Sequence, residues 1–145
     1  MPNFTHYSQH VGSNPDKQFK STLFQSQRLM LGLNCLEPGQ SQHAHLHDDQ
    51  DKFYFVVKGE GEFVVGGEKQ TAGEGAVVWA AADVDHGVTN TGAKRLVLLV
   101  GIAPFPYLAR KLKDPGEVVL LAGARREAEL VGLERLDDLG MEIEV

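Results

Sequence analysis

The sequence predicts an all-β chain folded as an antiparallel sandwich or barrel, and three observations support this. Apolar and β-branched residues come in short runs, glycine-bearing turns separate those runs, and up to about residue 103 no stretch shows the apolar period of a helix. With 145 residues the chain is long enough for one core and too short for two full domains.

The elements follow in order. A polar arm occupies 1–18, and short strands are expected at 19–24, 28–36, 43–47, 52–58, 61–65, 68–72, 76–80, 86–90 and 94–102. Pro38-Gly39 turns the chain before the third strand, the aromatic run Phe53-Tyr54-Phe55-Val56-Val57 ends at Gly59, and Gly75 opens the seventh strand. Gly66-Gly67 is a two-residue hairpin signal between the fifth and sixth strands. After Pro104 the character changes. A short helix is expected over 105–113, stopped by Asp114-Pro115, and a second over 125–139, where Leu130, Leu133 and Leu136 share a stripe and Gly140 ends it. The expected organisation is therefore an arm (1–18), a barrel (19–103) and a helical extension (104–145). That extension is too small for its own core and must pack on the barrel or on a dimer partner.

Chemistry concentrates in the third strand. His43, His45 and His47 alternate, and in a β-strand alternate residues share a face, so the spacing predicts three imidazoles on one side. A helix would scatter the same residues around its axis. His86 opens a later strand; the remaining histidines, His6 and His10, fall in the arm. Each histidine alone is as readily a solvated edge residue or a satisfied core residue.

The frame around the histidines resembles the two motifs of the cupin superfamily. Gly39, His45, His47 and Gly59 stand at the spacings of the first motif, whose glutamate position is occupied by Lys52. Gly75, His86 and Asn90 match the second, in which Ala81 and Asp83 replace the proline and glycine. The resemblance implies a small single-domain cupin of the cupin 2 type, with an antiparallel jelly-roll (double-stranded β-helix) barrel and short C-terminal helices. It also implies one divalent metal ion, zinc, iron, manganese or nickel, held by His45, His47 and His86, and a homodimer formed by sheet packing. Asp51 fits a shorter carboxylate spacing and His43 is a fourth candidate ligand. An adjacent strand position faces the other way, so Asp51 ligates only if the strand starts late or bulges.

Lys52 has three readings. It pairs with Asp51, Asp49 or another acid beside the metal; it orients an anionic group of a bound ligand; or it has displaced the metal. Lys52 and Tyr54, two apart on one strand face, are the candidate substrate-binding residues. Phe53, Phe55 and Val57 take the other face.

Formal net charge of −6, with no basic patch, argues against a nucleic-acid partner. The longest apolar run, 96–103, is far short of a membrane span. Cys35 is the only cysteine, so no intramolecular disulfide forms. That fits a cytoplasmic protein with a buried, inert thiol, as does an N-terminus without a signal-peptide pattern. No phosphate-binding glycine loop occurs, and no nucleophile elbow surrounds Ser41. Two function classes follow: a metal-dependent enzyme of dioxygenase, isomerase or decarboxylase type acting on a small organic acid, or a non-catalytic metabolite-binding or sensing cupin, metal-free because of Lys52. Neither reading assigns a catalytic residue.

Overall fold

The structure, a computed structural model, describes residues 2–46 and 50–104. His47, Asp49 and the expected C-terminal helices lie outside the described residues. Among the described residues, nine strands follow a single 3-10 turn at Tyr7–Gln9: β1 (Phe19–Gln25), β2 (Met30–Leu36), β3 (Ser41–His45), β4 (Gln50–Lys58), β5 (Glu60–Val65), β6 (Glu68–Gly73), β7 (Val77–Ala80), β8 (His86–Thr89) and β9 (Leu96–Pro104). They form a five-stranded sheet, ordered β1-β2-β9-β4-β7, and a four-stranded sheet, ordered β3-β8-β5-β6. Every pairing is antiparallel. This is the expected jelly-roll barrel.

Strand alternation sorts the side chains. In β4, Lys52, Tyr54 and Val56 are buried while Asp51, Phe53 and Phe55 are more exposed. Tyr54 and Val56 join Leu36, Phe63, Ala80, Val88, Leu96, Leu98 and Val100 in the core between the sheets. Full burial of each large side chain contributes about 1.5–3 kcal/mol before entropy is counted.

A second apolar cluster lies on the other face of the five-stranded sheet. Leu33, Cys35 and Val97 are buried there beneath Tyr7, Val11 and Phe19. The polar-looking arm is therefore a lid for this face. It is tied down where Ser21 Oγ donates to the His10 carbonyl at 2.8 Å and where Gln40 Nε2 donates to the Asn14 carbonyl at 2.8 Å. Cys35 is buried as expected, and burial pushes its thiol pKa up, which disfavours the reactive thiolate.

Candidate metal and ligand site

Two distant histidines meet inside the barrel. His45 on β3 and His86 on β8 are register partners, and their ring centroids lie 4.5 Å apart with planes at 58°. A β-bulge produces this meeting. Gln42 pairs with Val88 and His45 with His86, so three steps along β3 match two along β8. Gln42 and His45 consequently share the inner face, while the bulge turns His43 and Ala44 out to solvent. Gly87 makes room for it, because a Cβ at that position would stand 2.8 Å from both Ala44 N and the Gln42 carbonyl oxygen.

The backbone fixes the tautomer of both rings. His45 Nδ1 lies 2.9 Å from the His43 carbonyl and His86 Nδ1 lies 3.0 Å from the Val84 carbonyl. A carbonyl only accepts, so in each neutral ring Nδ1 carries the proton and Nε2 carries the lone pair. Metal-ligating histidines are typically oriented this way, with the second nitrogen donating to a carbonyl. The donor chemistry of the pair therefore fits a divalent ion. Among the described residues no group of three or more His, Cys, Asp or Glu side chains is arranged to hold one.

Gln42 was not legible as a site residue. It is buried, its Oε1 accepts from the Tyr54 hydroxyl at 3.1 Å, and its Nε2 sits 3.5 Å from His45 Nε2. The 3.5 Å contact is weak, so the amide can give way to a stronger partner of the imidazole. Tyr54 is fully buried and desolvation raises its pKa, so it stays a neutral hydroxyl donor. Only the bulge brings Gln42 to the site, and strict alternation from His43 would have placed it on the opposite face.

Lys52 points inward, as its parity with Tyr54 requires. It is only 5% exposed, and Nζ lies 4.7 Å from the Tyr54 ring centroid. Among the described residues no carboxylate forms an ion pair with it. Burial, with a smaller contribution from Lys20, lowers its pKa from 10.5 to about 8. Asp51 is engaged elsewhere: its Oδ1 accepts from the Ala82 amide at 2.9 Å, in the loop leading to β8.

The sequence candidates thus divide by position. His45, His86, Lys52 and Tyr54 come together inside the barrel, with Gln42 added. His43 is exposed and Asp51 pins a loop, so the structure does not bring these two to the ring pair, for the reasons of bulge and parity given above. His47 lies outside the described residues.

A family model described as the cupin domain matches residues 32–102. The crystal structure of TT1209 from Thermus thermophilus is 36% identical, with a TM-score of 0.69 over 72% of this chain and 100% of that one. The chain belongs to the cupin family. A double-stranded β-helix protein from Klebsiella pneumoniae shares the fold with this cupin, at 19% identity and a TM-score of 0.68 over 74% of this chain and 94% of that one. So does a predicted oxalate decarboxylase from Thermotoga maritima, at 24% identity and a TM-score of 0.57 over 59% of this chain and 79% of that one. No curated protein matches this cupin. No helix among its described residues is long and apolar enough to cross a membrane.

Proposed function

We propose that this cupin holds one divalent metal ion between His45 and His86, with His47 as the candidate third ligand, and acts on a small organic acid whose carboxylate is received by Lys52. The observation that carries the reading is the facing histidine pair, each ring locked by a backbone carbonyl so that its lone pair is on Nε2. A metal bound by histidines with open positions polarises an oxygen ligand, the common element of dioxygenase, isomerase and decarboxylase chemistry.

The chain's own residues supply binding and orientation. Lys52 brings three N–H donors into a buried site where a carboxylate gains a charge-assisted hydrogen bond. The Tyr54 ring lies beneath the ammonium, and the Tyr54 hydroxyl holds Gln42 against His45. Tyr54 and His86 are buried, which strengthens the polar contacts made there, while His45 keeps partial exposure.

Isothermal titration with oxalate and succinate tests the lysine's part. Lys52→Ala should weaken carboxylate binding about tenfold or more and leave the metal content unchanged. Undiminished binding in that variant removes Lys52 from the ligand site.

One observation favours a second reading, a metal-free binding or sensing cupin. Lys52 occupies the motif's glutamate position and points inward, so a cation stands where an anionic ligand would. Under this reading wild-type protein carries no metal and Lys52→Glu creates a site. The lone buried Cys35 supports a reducing, cytoplasmic setting. The exposed aromatic face of β4 and β7 supports a homodimer.

A further inference from the structure

Between the N-terminal arm and the outer face of the five-stranded sheet lies a cleft of about 560 Å³. Its floor is apolar: Tyr7, Val11 and Val97 belong to the outer cluster. Its rim carries three cations, Lys58, Lys94 and Arg95, together with Ser8 and the carboxylate of Glu74.

Local geometry gathers those cations. By parity with Lys52, Tyr54 and Val56, Lys58 should point into the barrel. A register shift between Val56 and Lys58 instead pairs Lys58 with Val97, a residue of the outer cluster. Gly59 follows at φ +82, and a Cβ there would stand 2.8 Å from the Arg95 carbonyl oxygen, so glycine lets the β4–β5 turn close against Arg95. The turn before β9 is fixed by Asn90, whose side chain donates to the Leu36 and Lys94 carbonyls at 2.8 Å and accepts from the Gly92 amide at 3.0 Å. Gly59 and Asn90 are motif positions with no part in the histidine site; Asn90 stands about 13 Å of extended chain beyond His86.

Charge sets the sign of what fits. Arg95 Nε meets Glu37 Oε1 at 2.6 Å, and the guanidinium has four further N–H donors. Glu74 accepts from the Gly59 amide at 3.4 Å. Among the described residues neither Lys58 nor Lys94 is in an ion pair. Lys58, Lys94 and Arg95, set against the carboxylates of Glu74 and Glu37, leave a small excess of positive charge at this cleft on a chain whose formal net charge is −6. Its volume is that of a small-molecule pocket, and the surrounding negative charge repels a long polyanion.

We propose that this cleft binds a small organic anion, a flat apolar body bearing a carboxylate or phosphate group. The body lies on Tyr7, Val11 and Val97, and the anionic group meets Lys58, Lys94 and Arg95. The histidine site takes no part, so this proposal and the metal reading fail independently.

Isothermal titration of the full chain with 2-naphthoate, phenyl phosphate, neutral 2-naphthamide and inorganic phosphate tests it, with amide chemical shifts locating the site. A ring-bearing anion should bind, the tighter of the two naming the anionic group, and shifts should centre on Ser8, Gly59 and Arg95. The exposed-site double variant K58E/K94E should keep the wild-type fold and bind about tenfold or more weakly. The proposal is overturned if neither ring-bearing anion binds or if naphthamide or inorganic phosphate binds equally well. Full affinity in the double variant, or shifts centred on His86, overturns it too.

Discussion

At the residue scale the informative departure is Lys52, a cation buried where the motif resemblance calls for a carboxylate. Its pKa of about 8, below the ordinary 10.5, means that the unfolded chain holds this proton more tightly than the folded one. The cost is therefore full below pH 8 and is relieved as the pH rises from about 8 towards 10.5. Between pH 7 and pH 10 the relief amounts to about 2–3 kcal/mol at most. Lys52→Met, which has no charge to bury, should be more stable than wild type at pH 7, and the gap should narrow on going to pH 10. Denaturant unfolding of metal-stripped protein at both values checks this; a gap that does not change with pH means that Lys52 ionises as it does in water. The residue type and its displacement of the glutamate were legible in the sequence. That Lys52 and Tyr54 share a face of β4 was legible as well; the 4.7 Å approach of Nζ to the ring was not, because it depends on side-chain rotamers and not on spacing.

At the element scale, strand identity was legible nearly throughout, since β-branched runs between glycine turns leave little choice of structure. The hairpin at Gly66-Gly67 joins β5 and β6 as its spacing predicts. Bulges were the blind spot. Nothing within β3 itself marks the extra residue between Gln42 and His45, yet that residue decides that His43 leaves the site and Gln42 enters it. Gly87 was the available hint, a glycine inside a short strand directly after a histidine. Gly87→Val should cost about 2–3 kcal/mol, because the new side chain collides with backbone rather than with a movable side chain. The same variant should lose metal affinity as His45 shifts out of register with His86. Stability within about 0.5 kcal/mol of wild type in urea unfolding would show that the bulge does not lean on this glycine.

At the scale of the whole molecule, the outer face of β4 and β7 is unusually apolar. Phe53 pairs with Trp79 and Phe55 with Val77, and Val77 and Trp79 are 67% and 57% exposed. A second copy of the chain is the proposed cover, since two such faces are self-complementary about a two-fold axis. Light scattering after size exclusion should give a dimer for wild type and a monomer for the variant carrying Val77→Glu and Trp79→Glu; a wild-type monomer contradicts the proposal. The arm's role as a lid was hidden from the sequence, because Tyr7 and Val11 are isolated apolar residues whose partners on β2 and β9 are remote in the chain. If His45 and His86 grip one cation, elemental analysis of freshly purified protein will find it. About one divalent metal per chain in wild type, lost in a folded His86→Ala variant, is the predicted result. Metal-free wild type, or a variant that keeps its metal, would contradict it.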